Sequence, residues 1–173
     1  MVREKVEAVL CSKNLILRNF VCMKERYIFN ITPKTHVRAT QGDKVFFRIP
    51  REKLYPSGLA RLIRLERYNQ YKIDLLAITK SQKISLPEQG GHLIFYIPVP
   101  KTWKKYKKEQ MHLQLHQSRP DIDNLTKAVM DSLMAEDKHI ADIRVTKKWV
   151  NSEHGWIELN INTPTMQSND CLL

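Results

Sequence analysis

Two aspartates stand one residue apart at Asp121 and Asp123, Lys127 follows four residues after the second, and an acidic pair, Glu136 and Asp137, closes the same stretch, RPDIDNLTKAVMDSLMAEDKH. Carboxylates gathered this closely repel one another unless a cation sits among them. Oxygen donors of this kind suit Mg²⁺, which keeps positions open for water and phosphate and stabilises charge on both the attacking and the leaving oxygen of a phosphodiester. Lys127 is placed to steady those charges or to meet the scissile phosphate or the nucleophilic water. A plainer arrangement fits the same residues. The macrodipole favours aspartate at a helix start, and Asp123 and Lys127 have the i,i+4 spacing of an ordinary ion pair. The D-x-D spacing alone leaves both readings open.

Gathering these groups requires a helix. Pro120 cannot continue one behind it, and Asp123 or Asn124 suits an N-cap. From there LTKAVMDSLM puts Leu125, Ala128, Val129 and Leu133 on one apolar side. At about 100° per residue, Asp123, Asn124, Lys127 and Asp131 then share roughly a third of the circumference away from it. Asp121 lies just before the helix. The segment AEDKH reads as a turn, and HIADIRVTKKWVNSEHGWIELNI predicts a β-hairpin with Asn151, Ser152 and Gly155 in the turn. Asp137 returns to the aspartates only if that hairpin packs beside the helix start.

Upstream, RYIFNI (26–31) and HLIFYIPVP (92–100) read as strands. REKLYPSGLARLIRLERYNQYKIDLLAI reads as one or two helices starting near Pro56, Ser57 and Gly58. Leu59, Leu62, Ile63 and Tyr68 mark the apolar stripe, and Arg61, Arg64 and Arg67 a solvated side. Strands and helices do not alternate regularly, so the expected class is α+β, a small mixed sheet packed with helices.

The chain is strongly basic, with 29 Lys and Arg against 18 Asp and Glu, a net charge of +11. That balance suits a polyanionic partner without singling one out. Two basic segments carry donors of the right kind. TPKTHVRATQGDKV contains Arg38 and Lys44, and also reads as a mobile surface loop. KTWKKYKKEQM interleaves Lys101, Lys104, Lys105, Lys107 and Lys108 with Trp103 and Tyr106, pairing phosphate neutralisation with rings that stack on bases. A short basic helix would look the same. Arg119 adds a cation beside the aspartates. Cys11, Cys22 and Cys171 form no Cys-x-x-Cys pair, and the six histidines show no zinc spacing. His112 and His116, four apart, are expected to be solvated. No apolar run approaches the roughly 20 residues of a membrane helix, and VEAVLCSKNLILRNFVCM is too interrupted by polar residues for a signal peptide. The expected setting is a reducing cytoplasm. The expected organisation is an N-terminal extension over 1–24, with Met23 as an alternative start, one domain over 25–163, and a flexible tail over 164–173.

The ordered series Arg119, Asp121, Asp123, Asn124, Leu125, Lys127, Asp131, Leu133, Glu136, Asp137 and the Arg144–Lys147 stretch closely resembles the signature of the RusA family of Holliday junction resolvases, common in phages and prophages. IFYIPVPKTWKKYKKEQM is similar to the corresponding part of a subgroup. The resemblance implies a small α+β homodimer that cuts four-way DNA junctions with Mg²⁺, or Mn²⁺ in its place, in the cytoplasm of a bacterial host. It implies that Asp121, Asp123 and Asp137 are catalytic metal ligands and Lys127 the catalytic lysine. Glu136 would be the acidic neighbour, and Asn124 and Asp131 would hold the helix in place. Arg38, Lys44, Arg119 and the five lysines from Lys101 to Lys108 are the candidates for the DNA groove. The competing function is a non-catalytic DNA-binding recombination accessory protein whose carboxylates only cap a helix. Such a protein would bind in a salt-sensitive way and give no products. A nuclease of the same chemistry acting on other branched or single-stranded DNA is a third reading.

Overall fold

The sheet is organised around β2 (Gly91–Pro98), whose sequence GHLIFYIP buries Leu93, Ile94, Phe95 and Tyr96 in succession. A strand apolar on both faces has to be covered on both. β4 (Trp156–Met166) pairs with it antiparallel and β3 (Ile143–Val150) pairs parallel on its other edge, while β1 (Phe20–Phe29) pairs antiparallel with β4. The order is β1-β4-β2-β3, a mixed sheet, and with its helices the molecule is α+β as expected. The computed structural model describes the backbone of residues 20–134 and 137–166 and the side chains of 25–134 and 138–161. Most of the expected extension and tail, residues 1–19 and 167–173, lies outside the described residues. β1 begins at Phe20, opposite Met166, so both strands run across the expected ends of the domain.

The predicted hairpin does not form. β3 and β4 are consecutive and joined by a short loop, yet β2 lies between them. Alternation and turn residues specify two strands and a sharp connection, but not the edge that each strand finds. The parallel β2–β3 pair is made possible by a long crossover carrying two helices. The loop from β3 to β4 crosses close over β2: a Cβ on Gly155 would stand 2.3 Å from the Tyr96 carbonyl oxygen. Only glycine lets the backbone pass there, and the Gly155 N–H donates to Thr32 Oγ1 at 3.1 Å.

The edge of β3 away from β2 is covered by residues 113–116. The Leu113 N–H donates to the Trp149 carbonyl, the Trp149 N–H to the Gln114 carbonyl, and the His116 N–H to the Lys147 carbonyl, at 2.9, 2.9 and 3.0 Å. Covering an edge in this way removes a row of unpaired backbone groups.

On one face of the sheet lie two helices. α2 is a single helix, Pro56–Gln82, following the four-residue helix α1 (Asp43–Phe46). Its buried positions Leu62, Leu65, Tyr68, Tyr71, Leu75 and Thr79 fall three and four apart without interruption, and no proline or glycine breaks the run after Gly58. After the short basic helix α3 (Lys105–Met111) comes α4 (Ile122–Leu133), which packs against α2 and fully buries Leu125, Ala128 and Val129. These residues close a core with Phe29, Leu93, Phe95, Ile157 and Leu159 from the sheet.

The loop ahead of α1 is pinned at both ends. Asp43 is buried and accepts two hydrogen bonds from the Arg61 guanidinium, at 3.0 and 2.9 Å, and one from the Thr40 N–H at 2.6 Å. Those donors hold its carboxyl well below the usual carboxylate range. Arg61 also donates to the Arg38 carbonyl at 2.6 Å, so Arg61 is not on a solvated side as its spacing implied. His36 ties the same loop to α4. Its backbone N–H donates to the Asn124 backbone carbonyl at 2.9 Å, and its Nε2 lies 3.0 Å from Asp131 Oδ2. Among the described residues, no helix is long and apolar enough to cross a membrane.

Candidate active site

α4 begins two residues earlier than the sequence pattern indicated. Asp121 is its N-cap, in extended conformation at φ −72° and ψ 144°, and Asp123 lies in the first turn. An N-cap aspartate ordinarily folds its carboxylate back onto the second or third N–H of the helix. Asp121 makes no such hydrogen bond, so the plainer reading of the motif as a capped helix start is not how this side chain is used. Both aspartates are exposed and line one cavity of about 680 Å³.

Three segments build that cavity. The start of α4 supplies Asp121, Ile122 and Asp123; β3 supplies Arg144 to Lys147; the segment covering the edge of β3 supplies Leu115, His116 and Gln117. β3 thus stands beside the helix start, although as the parallel partner of β2 rather than as half of a hairpin. The approach to the motif is fixed by Lys147, whose ammonium donates to the Ser118 carbonyl at 2.7 Å and the Pro120 carbonyl at 2.6 Å. A cation anchored on the residue directly before Asp121 also offsets part of the mutual repulsion of the carboxylates.

The other expected site residues are placed less closely. Lys127 is exposed on α4 and is not part of the cavity wall; among the described residues it makes no ion pair with Asp123. The backbone of Asp137 opens a 3₁₀ turn, Asp137–His139. Its side chain, and Glu136 entirely, lie outside the described residues. No group of three or more His, Cys, Asp or Glu side chains able to share a metal occurs among the described residues. Two carboxylates on one open cavity nevertheless fit Mg²⁺, which is ordinarily bound by one or two carboxylates with water and phosphate completing its octahedron.

Of the residues expected to hold DNA, Arg38, Lys44, Lys101, Lys104, Lys105, Lys107 and Arg119 are exposed and Lys108 is half-buried. None lines the cavity. Aromatic contacts nevertheless bring the lysine-rich segment next to it. Lys107 Nζ lies 4.3 Å from the centre of the Trp103 ring, Trp103 packs on Trp149 at 5.1 Å, and Trp149 packs on His116 in the cavity wall. Arg144 and Lys147 flank the aspartates directly, although the sequence reading assigned them no individual role. His116, expected to be solvated, is buried at 3 % exposure. Strand alternation could mark these residues as inward or outward, but only the tertiary arrangement brings β3 to the start of α4.

A family model described as endodeoxyribonuclease RusA matches residues 49–162, more than half of the chain. The match includes α2, β2, α4, β3 and every residue of the cavity wall. No curated protein matches the chain.

Proposed function

The chain belongs to the RusA endodeoxyribonuclease family, a family of Holliday junction resolvase nucleases, and from that premise we propose that it hydrolyses the strands of four-way DNA junctions at the cavity walled by Asp121 and Asp123. The observation that carries the assignment is that both carboxylates face one cavity while Asp121 forgoes the capping bond its position offers. RusA nucleases are phosphodiester hydrolases that depend on metal. Asp121 and Asp123 would hold the ion, Mg²⁺ or Mn²⁺, with Asp137 from the following turn as the third ligand. An ion held by these carboxylates would supply positive charge to activate water and to offset charge on the attacked phosphate.

The remaining steps fall to side chains of this protein. Arg144 is exposed at the rim, where its guanidinium can take a phosphate oxygen in a two-pronged contact. Lys147 is committed to the backbone of the Ser118–Pro120 turn and keeps Asp121 facing the cavity. Lys127, one turn along the helix from Asp123, supplies a second positive charge to the transition state once DNA brings the phosphate to it. The exposed lysines of 101–108, with Arg119, Arg38 and Lys44, would neutralise the arms of the junction. Resolving a junction takes two incisions related by symmetry, which a homodimer with one cavity in each subunit provides. The domain that does this takes in the whole sheet, from Phe20 to Met166 and so a little beyond the expected 25–163, and the bacterial cytoplasm is its setting.

The decisive experiment compares wild type with Asp123→Asn on a synthetic four-way junction, a Y-fork and a linear duplex, each with and without Mg²⁺. The expected result is metal-dependent cutting of the four-way junction by wild type and none by Asp123→Asn, with junction binding unchanged. Cutting by Asp123→Asn at the wild-type rate would remove Asp123 from the site.

A further inference from the structure

Among the described residues, His116 is the one histidine buried as deeply as the core. Its ring lies on Trp149, with 3.7 Å between the ring centres and 30° between the planes. The backbone N–H of Ser118 donates to His116 Nδ1 at 3.4 Å. Since Nδ1 accepts, the neutral ring carries its proton on Nε2, and Nε2 is buried with no hydrogen-bond partner among the described residues. Burial, followed by the charge of Lys147, holds the His116 pKa below the ordinary histidine value, in keeping with a neutral ring.

An unpaired buried N–H weakens a fold, and an apolar group of the same shape would avoid that penalty. Phenylalanine would keep the contact with Trp149 and leave no orphaned nitrogen. Packing therefore does not account for a histidine at this position. The feature that phenylalanine would lack is Nδ1, and Nδ1 holds the turn that leads into Asp121. That turn is gripped on both sides: His116 takes the Ser118 N–H, and Lys147 takes the Ser118 and Pro120 carbonyls. The next residue is Asp121, and His116, Lys147, Asp121 and Asp123 all line the same cavity.

We propose that His116 is a positioning residue for the metal site, a neutral acceptor that fixes the Ser118 amide and thereby the place of the Asp121 carboxylate opposite Asp123. The inference rests on the assignment of Asp121 and Asp123 made above. Residues that orient metal ligands from one layer out typically change metal affinity by about 10- to 100-fold when replaced, and a similar effect belongs here.

The test uses the full chain with His116→Phe and His116→Asn. Asn Oδ1 is as many bonds from Cα as His Nδ1 and can take the same N–H. Mn²⁺ affinity is measured by calorimetry without DNA, the Mg²⁺ concentration for half-maximal junction cutting is measured separately, and melting temperature reports stability. His116→Phe should melt at or above wild type, bind the junction as wild type does, and need on the order of tenfold more metal. His116→Asn should recover most of that loss. Wild-type metal affinity in His116→Phe, or an asparagine variant no better than the phenylalanine variant, would overturn the proposal. If His116→Phe does not melt cooperatively, His116→Gln replaces it, because its amide reaches the Nε2 position instead of Nδ1; parity of Gln and Asn then overturns the proposal. A wild-type protein that binds no Mn²⁺ would sink the metal-site assignment separately. In that case the Ser118 amide resonance, read without metal, still decides on His116, and no change between wild type and variant would refute the contact.

Discussion

At the cavity, one of the residues proposed for the chemistry forgoes a local stabilisation that its position offers. Asp121 stands at a helix N-cap without capping, and restoring a cap there should stabilise the helix at the expense of activity. Asp121→Ser is expected to raise the melting temperature slightly, since serine caps well, while abolishing metal-dependent cutting; retained cutting would show that Asp121 is not a ligand. Arg144, exposed at the rim, should behave as a phosphate contact. Arg144→Ala is expected to weaken junction binding uniformly across sequences and to lower the slope of log affinity against log salt by about one. An unchanged slope would place Arg144 outside the DNA path. In the core, the Tyr68 hydroxyl is buried without a partner among the described residues, and burial, with the nearby Asp131 charge, pushes its pKa up to about 12. Tyr68→Phe removes that hydroxyl and keeps the edge contact with His36, so denaturant unfolding should show a gain of about 1 kcal/mol.

Among the elements, α2 and the β3–β4 loop carry the constraints that shape the scaffold. α2 ends on Lys83 in the left-handed conformation, φ 54° and ψ 44°, where a side chain is strained and glycine is the usual choice. Lys83→Gly should therefore stabilise the protein by about 1 kcal/mol, because the relief of left-handed strain outweighs the greater chain entropy of glycine. A loss of stability in urea titration would contradict that account. The loop at Gly155 has the opposite requirement. A methyl there collides with the Tyr96 carbonyl at the rim of β2, so Gly155→Ala has to displace either the loop or the end of the strand. The helix that carries Asp123 is tied to the loop ahead of α1 by His36, at the Asn124 backbone carbonyl and at the Asp131 carboxylate.

For the molecule as a whole, stability is tied to pH through buried and half-buried groups on the sheet and at its edge. Burial and then Arg144 lower the His92 pKa, and burial and then Lys147 lower that of His116. Between those lowered values and the ordinary 6.5 of histidine, the unfolded chain binds more protons than the folded one. The stabilisation from keeping both rings neutral is therefore complete above about pH 6.5 and is lost as the pH falls below it. Glu158 extends the trend into acid. Burial raises its pKa, but hydrogen bonds from Arg26, Asn160 and Tyr96 outweigh it and lower the carboxyl overall, so its contribution is lost below the ordinary carboxylate range. Melting temperature should fall steadily from about pH 7 to about pH 4; a flat profile would mean that these groups keep their ordinary pKa values in the folded protein.

Much of this protein was legible one segment at a time. The period of 3.6 residues marked α2 and α4, β-branched runs marked the strands, and D-x-D followed by Lys127 and an acidic pair marked where metal chemistry would be sought, because these are signals of local spacing. The start of α4 lies two residues ahead of the local pattern, since several adjacent polar residues cap equally well and only the backbone dihedrals choose among them. Long-range partners were not legible. β3 and β4 looked like a hairpin because nothing local records that β2, apolar on both faces, takes the place between them. That insertion brings Arg144 and Lys147 to the start of α4, turns His116 inward onto Trp149, and forms the cavity walled by Asp121 and Asp123. Spacing along the chain determined which residues are candidates for the chemistry; the burial of β2 on both faces decided which of them meet.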